Sequence, residues 1–169
     1  MSLNRPDSHT HDHNSTHSHD VAQNIAQATA LCEARGKRLT PIRTQVLSLM
    51  LQSGRSLKAY ELLEQMQAIH PNSKPATIYR ALDFLVEQGL IHRLDATNAW
   101  TACQHIQSEH SHHHDLLAVC TECGLVKELS APHISQQLRE LLATVGFSPN
   151  APETEIRATC TSCRLNKPS

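Results

Sequence analysis

Two short segments, Cys120-Thr-Glu-Cys123 and Cys160-Thr-Ser-Cys163, decide the organisation of the C-terminal half of this chain. A CxxC turn presents two sulfur atoms at a separation that suits one Zn²⁺ ion, and two such turns complete a tetrahedron of thiolates. The spacing therefore predicts a closed structural zinc site that clamps two distant segments together. Four reduced bystander cysteines are the alternative, but unrelated cysteines seldom duplicate a spacing.

Length and composition limit what surrounds this site. The chain has 169 residues, which suffices for one ordinary domain or two small ones. Only 3% of the residues are aromatic, so neither half is expected to have a large core, and a small second domain of this kind needs a metal to fold. No run of membrane-span length and no apolar signal segment is visible, which predicts a cytoplasmic protein with reduced thiols and no membrane partner.

Charge is distributed unevenly, although the formal net charge is only −1. Residues 21–93 carry nine basic and five acidic side chains, whereas residues 94–169 carry five basic and eight acidic ones. This asymmetry indicates that the middle segment meets a polyanion. Residues 1–20 are rich in histidine, serine and threonine and predict a disordered His-rich tail without a fixed metal geometry.

The middle segment, from about Val21 to Leu94, has helical periodicity with closely spaced start and stop signals. Thr40 and Pro41 predict the start of a second helix, and Gly89 is placed to end a fourth one. Short helices with tight connections are typical of a helix-turn-helix. In the fourth helix the apolar residues share one side, which leaves Arg80 on the other with Thr77 beside it; these apolar residues are Ile78, Ala81, Leu82, Leu85 and Val86.

A predicted β-hairpin follows the fourth helix and is interpreted as the wing of a winged helix. Its strands are residues 90–94 (LIHRL) and 99–103 (AWTAC). A symmetrical turn places His92 opposite Thr101 and on the same face as Cys103. Taken singly, each has an ordinary interpretation: His92 as a surface histidine and Cys103 as a small buried apolar side chain. Their shared face makes them candidate metal ligands.

The remaining chain predicts a small α+β domain. A polar, histidine-rich connector over residues 104–115 leads into strands near 116–119, 125–129 and 155–158, with a helix near 133–145. Exposed strand edges and the apolar face of that helix favour dimerisation. The predicted organisation is therefore a tail over 1–20, a winged-helix DNA-binding domain over 21–103, a hinge over 104–115, and a dimerisation and metal-binding domain over 116–169.

With these motifs in place, the chain resembles the ferric uptake regulator family of metal-dependent bacterial repressors, and within it the zinc-sensing branch. The resemblance covers about residues 21–165. It is carried by both CxxC pairs and by residues 38–43 (RLTPIR), 59–63 (AYELL), 74–85 (KPATIYRALDFL) and 112–115 (HHHD).

The resemblance implies a homodimer with one structural and at least one regulatory zinc ion per subunit. The structural ion would be held by Cys120, Cys123, Cys160 and Cys163. The regulatory ion would be held by His92, Cys103, His113 and Glu128, with His112, His114 and Asp115 as alternatives to His113. By the same resemblance, the DNA-reading residues are Tyr60 and Arg80, with Tyr79 and Arg43 as backbone contacts.

The implied function is that of a zinc-responsive transcriptional repressor that binds palindromic double-stranded operator DNA and silences zinc-uptake genes, without being an enzyme or taking a small-molecule substrate. Cys103 supports zinc, because an iron sensor of this family is usually built from histidine and carboxylate alone. The alternatives are a sibling sensor of iron, manganese or peroxide and, more remotely, a zinc storage protein. A zinc hydrolase would need an open ligand set with Glu128 as its base.

Overall fold

The computed structural model of the protein describes residues 13–104, 106, 116–151 and 153–166. Within these ranges four helices and a two-stranded hairpin precede a mixed three-stranded sheet, which confirms the α+β class. The elements are α1 (His13–Ala34), α2 (Pro41–Ser53), α3 (Ala59–Ile69), α4 (Pro75–Glu87), β1 (Ile91–Leu94), β2 (Ala99–Ala102), β3 (Leu116–Cys120), β4 (Val126–Leu129), α5 (Pro132–Thr144), β5 (Thr154–Ala158) and α6 (Thr161–Leu165).

The start of α1 differs from the disordered tail expected over residues 1–20. The helix begins at His13 rather than near Val21. Adding residues to an existing helix gains a hydrogen bond each without a new nucleation step, so polar residues can continue it. Residues 1–12 lie outside the described part of the chain. Among the described helices, α1 included, none has the length and apolar character that crossing a membrane would require.

The helix limits of the N-terminal half follow the proline and glycine signals in the sequence. Helix α2 begins with Pro41 and ends before Gly54, whose φ is +62°. Helix α4 begins with Pro75, and Gly89 follows its end with a φ of +69°. Both glycines adopt the left-handed conformation that terminates helices and that other residues adopt only with strain.

The main core lies where α2, α3 and α4 meet the wing. Four of the five residues predicted to face inward from α4 are buried, but Val86 is 38% exposed and Phe84 is buried instead, because the helix turns Val86 away from the core. Arg80 is exposed on the outer face. Burying one such aliphatic side chain contributes roughly 2 kcal/mol to folding. The largest fully buried side chains of this core include Leu47, Met50, Leu62, Met66, Ile78, Leu82 and Leu85.

The wing consists of β1 and β2, paired antiparallel with His92 opposite Thr101, as the sequence predicted. Backbone hydrogen bonds of 2.8 and 2.9 Å between Leu57 and Trp100 attach it to the segment before α3. Trp100 is buried and packs edge-on against Tyr79, with ring centroids 6.2 Å apart. The wing is therefore fixed to the helices through its second strand.

The C-terminal sheet has β3 in its centre, antiparallel to β4 and parallel to β5. Its buried cluster comprises Leu117, Val119 and Val126, together with Leu94 from the end of β1. The wing thus packs directly on this sheet. Within α5, all of whose residues are described, only Ser135 is buried, so the described part of the chain leaves most of this helix exposed or half-buried.

Candidate metal centres and DNA-binding surface

Four cysteine sulfurs converge beside the C-terminal sheet and form the cysteine cluster. All four Sγ atoms lie within 4.8 Å of one another; they belong to Cys120, Cys123, Cys160 and Cys163. The Sγ atoms of Cys123 and Cys160 are 3.7 Å apart. Two thiolates of a tetrahedral zinc ion, each about 2.3 Å from the metal, are separated by about 3.8 Å. The cysteine cluster therefore has the donor type and the spacing of a structural zinc site.

Parallel pairing of β3 and β5 brings the two CxxC segments together. Cys120 ends β3 and lies in register with Ala158, two residues before Cys160. The backbone N–H of Cys160 donates to Sγ of Cys120 at 3.3 Å. Cys160 itself directly precedes the short helix α6, an element that no pattern in the sequence predicted. The second CxxC therefore forms the first turn of a helix, with Cys160 as the N-cap of α6 and Cys163 within it.

The electrostatics of the cysteine cluster favour a cation. Backbone hydrogen bonds from Cys160 and Cys123 lower the pKa of Cys120 to about 6. Hydrogen bonds with the side chains of Cys160 and Cys123 raise the pKa of Cys163 to about 12. Cys120 therefore loses its proton readily, whereas the neighbouring cysteines oppose deprotonation of Cys163. A bound divalent cation would remove this opposition by stabilising all the thiolates.

A second group of donors, the wing–sheet group, joins the wing to the C-terminal sheet. It consists of His92 on β1, Cys103 just after β2 and Glu128 on β4, with donor atoms within 4.8 Å of one another. Nε2 of His92 is 3.2 Å from Oε1 of Glu128, and Sγ of Cys103 is 4.0 Å from Oε2. The corresponding separations around tetrahedral zinc are about 3.3 and 3.5 Å. This nitrogen, sulfur and oxygen set fits zinc better than it fits harder ions.

The wing–sheet group is nearly closed to solvent, since the side chain of Glu128 is 1% exposed and that of His92 is 10% exposed. Burial by itself would lower the pKa of His92, but hydrogen bonds with Cys103, Glu128 and Glu153 raise it to about 11. A buried carboxylate requires a positive partner. In the metal-free protein the proton on His92 fills that role, and a metal ion can replace it.

The structure brings together three of the four residues expected at the regulatory site: His92, Cys103 and Glu128. The fourth, His113, lies outside the described residues. The same holds for its alternatives, His112, His114 and Asp115.

Two residues outside the predicted ligand set, Gln104 and Glu153, also contact this group. The backbone N–H of Gln104 donates to Oε1 of Glu128 at 2.8 Å. Oε1 of Glu153 lies 3.5 Å from Nδ1 of His92. The sequence offered only a weak signal for Glu153, because it immediately precedes β5, one of the strands that the sequence predicted.

The expected DNA-reading side chains are accessible on α3 and α4. Arg80 is exposed, Tyr60 is 59% exposed and Tyr79 is 49% exposed. Thr77, one turn before Arg80, is half-buried. Side chains near the start of a recognition helix are those that reach base edges in the major groove.

Arg43 lies close to this surface but has partners within the chain. Its guanidinium carbon is 3.5 Å from the centroid of the Phe84 ring, and Nη1 donates to the backbone carbonyl of Arg38 at 2.8 Å. These contacts orient the guanidinium between α2 and α4. It borders a cleft of about 170 Å³ that is lined by Thr40, Ile42, Arg43, Thr77, Arg80 and Ala81.

Comparison with known proteins identifies the family, because residues 34–157 match the ferric uptake regulator family. The chain belongs to that family. It is 37% identical over 139 residues to the zinc uptake regulation protein of Escherichia coli (strain K12), covering 82% of this chain and 80% of that protein. It is 25% identical over 143 residues to the peroxide operon regulator of Bacillus subtilis (strain 168), covering 85% and 95% of the two chains.

Solved structures give the same placement within the ferric uptake regulator family. A zinc uptake regulator complexed with zinc and DNA superposes with a TM-score of 0.76 at 35% identity, covering 86% of this chain and 95% of that one. The holo form of XcZur superposes with a TM-score of 0.69 at 35% identity, covering 85% and 98%. The chain is thus a regulator rather than an enzyme.

Proposed function

We propose that this ferric uptake regulator family member is a zinc-responsive transcriptional repressor. It binds palindromic operator DNA as a zinc-loaded dimer in the cytoplasm and silences zinc-uptake genes. The observation that carries the proposal is the wing–sheet group, because it joins two parts of the chain and includes a thiolate donor. Support comes from the similarity to a regulator complexed with zinc and DNA.

The wing–sheet group explains how zinc controls DNA binding. His92 and Cys103 belong to the wing, whereas Glu128 belongs to the sheet, so the three donors meet in one relative orientation of these parts. Zinc supplies a positive charge that compensates the buried carboxylate and thiolate. Its differential affinity for this orientation would then shift the population toward the DNA-binding form. His113, or one of its neighbours His112, His114 and Asp115, would complete the ligand set.

A second copy of the chain is the partner proposed for the C-terminal half, residues 116–169. Helix α5 has an exposed apolar stripe at helical spacing, formed by Ile134, Leu141 and Val145, which are 46, 64 and 63% exposed. Phe147, which follows the end of α5, is also exposed, at 68%. A large apolar surface of this kind is typical of a protein interface. Pairing of two copies also matches a palindromic operator, whose half-sites lie about 34–36 Å apart.

DNA reading is assigned to the winged-helix unit over residues 21–103. Arg80 on α4 and Tyr60 on α3 would contact bases. Contacts with the phosphate backbone would position the helix, and they are assigned to Thr77, Tyr79 and Arg43. The guanidinium of Arg43 is already oriented by its contact with the Phe84 ring. The excess of basic residues in this segment suits a polyanion.

A sibling metal sensor is the competing function, since a peroxide operon regulator is also similar to this chain. The donor chemistry favours zinc over iron or manganese, because the thiolate of Cys103 is a soft ligand. The two functions differ in which metal ion promotes operator binding.

The decisive experiment titrates binding to the promoter of a zinc-uptake gene against buffered free Zn²⁺, Fe²⁺ and Mn²⁺, with metal counted per subunit. We expect tight binding only with Zn²⁺, at a count of two or more ions. The proposal would be refuted if protein that retains only the cysteine-cluster ion bound the promoter as tightly as the fully zinc-loaded protein. If Fe²⁺ or Mn²⁺ instead promoted promoter binding selectively, the protein would be a sensor of that metal rather than of zinc.

A further inference from the structure

Glu153 lies beside the wing–sheet group without belonging to it. We propose that Glu153 is a positioning residue for the regulatory zinc ion, which fixes the imidazole of His92 so that Nε2 faces Glu128 and Cys103. The inference rests on the zinc site proposed above and adds a residue that controls how one of its ligands is oriented.

The two nitrogens of the His92 ring face two different carboxylates. Nε2 is 3.2 Å from Oε1 of Glu128, and Nδ1 is 3.5 Å from Oε1 of Glu153. The nitrogens of an imidazole point in divergent directions, so Glu153 and Glu128 lie on different sides of the ring. A carboxylate that accepts the Nδ1 proton leaves the Nε2 lone pair for a metal and makes the histidine a stronger ligand.

Glu155 keeps the wing in place for this contact. Its two carboxylate oxygens accept hydrogen bonds from the backbone N–H groups of Asp95 at 2.7 Å and Ala96 at 2.9 Å. Asp95 and Ala96 belong to the wing turn, three and four residues beyond His92. Glu153 immediately precedes β5 and Glu155 lies within it, and both carboxylates contact the wing, so the bonds that hold the wing turn on β5 also keep His92 within reach of Glu153.

The other carboxylate of the site is oriented in a comparable way. Oε1 of Glu128 accepts the backbone N–H of Gln104 at 2.8 Å, and the side chain of Gln104 donates to the carbonyl of Val126 at 3.2 Å. His92 and Glu128 are thus each held by a hydrogen bond from outside the ligand set. Loss of such an outer partner typically weakens metal binding about 10–100-fold.

The test compares Glu153→Ala and Glu153→Gln with Glu140→Gln, a matched change at an exposed position of α5. Zinc affinity of the second site is measured by competition with a chelating indicator, in protein that retains its cysteine-cluster ion. Imidazole ¹⁵N spectra of the zinc-loaded protein report which nitrogen holds the metal, with the His92 signals identified by their absence in His92→Gln.

We expect Glu153→Ala to lose about 10–100-fold in second-site affinity and to show zinc on both Nε2 and Nδ1 of His92. Glu153→Gln should lose less, because its amide oxygen still accepts the Nδ1 proton. Glu140→Gln should match the unmodified protein, in which zinc is bound through Nε2 alone.

Two results would overturn the positioning role. One is unchanged affinity with zinc on Nε2 alone in both Glu153 variants. The other is a Co²⁺ absorption spectrum of Glu153→Ala that shows a lost ligand while His92 stays bound through Nε2, since Glu153 would then be a ligand itself. His92→Gln separates this inference from the proposed function, because normal second-site affinity in that variant would refute the zinc site as a whole.

Discussion

The backbone N–H of Ser56 donates to the carbonyl of Gly124 at 2.8 Å, which joins the segment before α3 to the turn that follows the first CxxC. The segment that leads into α3 is thereby attached to the cysteine cluster, while the wing is attached to the C-terminal sheet through the wing–sheet group. Together with the contacts of Glu155, this bond stabilises the observed arrangement independently of the wing–sheet donors. The regulatory ion proposed above would therefore further stabilise a relative orientation of wing and sheet that these bonds already favour.

Gly124→Ala tests the Ser56 contact. Gly124 has a φ of +74°, and an added Cβ would lie 2.8 Å from Oγ of Ser56. Gly146→Ala is the matched control, because its φ is +78° and nothing lies within 4 Å of the added atom. We expect the control to cost about 1 kcal/mol from backbone strain and Gly124→Ala to cost more. Urea unfolding of the metal-loaded proteins measures both, and Ser56→Ala should recover part of the difference. Equal costs would show that the contact is loose.

Cys103→Ser should abolish zinc-responsive operator binding while the dimer survives, because it removes the soft donor of the wing–sheet group and leaves the cysteine cluster intact. DNA binding and light scattering on the same samples check both halves of this statement. Cys32→Ala serves as a control, since Cys32 is fully buried in the helical core and belongs to neither donor group. Zinc-dependent binding by Cys103→Ser would remove Cys103 from the site.

Unlike Cys103→Ser, Cys120→Ser should unfold the C-terminal half. The small sheet depends on its metal for stability, and binding free energies of structural zinc are about 10–16 kcal/mol. Hydrogen exchange would detect the unfolding as a loss of protection of the backbone amides in β3 and β5. Full protection together with a bound ion would contradict the assignment of Cys120.

Second-site zinc affinity should rise with pH. Burial opposes the charged form of His92, but hydrogen bonds with Cys103, Glu128 and Glu153 raise its pKa from 6.5 to about 11 in the metal-free protein. The bound proton thus stabilises the metal-free fold fully below pH 6.5, and this contribution is lost as the pH rises toward 11. Zinc must displace this proton, so affinity should increase up to tenfold per pH unit for each proton released. Competition titrations from roughly pH 6.5 to 8.5 measure the slope. A flat profile would contradict it.

Leu141→Glu should convert the protein to a folded monomer with weak operator binding. The substitution places a charge in the middle of the exposed apolar stripe of α5, where Leu141 is 64% exposed and contributes little to the fold of one chain. Ile69→Glu, at a position on α3 that is 47% exposed, is the control and should leave the dimer intact. Sedimentation velocity distinguishes the two. An intact Leu141→Glu dimer would place the interface elsewhere.

Arg80→Ala should weaken operator binding by about 1–3 kcal/mol and relax selectivity at one base pair of each half-site. Arg164→Ala, in the short helix α6, is the comparison for loss of one charge. Binding isotherms on the operator and on single-base variants provide the measurement. A uniform loss on all sequences would assign Arg80 to the phosphate backbone instead.

Local signals accounted for most of the fold. The limits of α2 and α4 followed from Pro41, Pro75 and the nearby glycines, because these residues restrict φ wherever they occur. The pairing of His92 with Thr101 followed from a short hairpin turn. The early start of α1 and the helix α6 have weaker local signals, since continuation of a helix and a single turn after a strand depend on the surrounding structure.

By itself, the sequence determined which donors the protein carries: two CxxC pairs with the spacing of a zinc site, and a histidine and a cysteine on one face of a wing. Only the tertiary structure decided which other side chains meet them. Parallel pairing of β3 with β5 brings the two CxxC segments together, and packing of Leu94 on the sheet brings Glu128 and Glu153 to either side of His92. Such contacts join residues that are far apart along the chain, and they arise from burial and strand pairing, for which no short stretch of sequence has a signal.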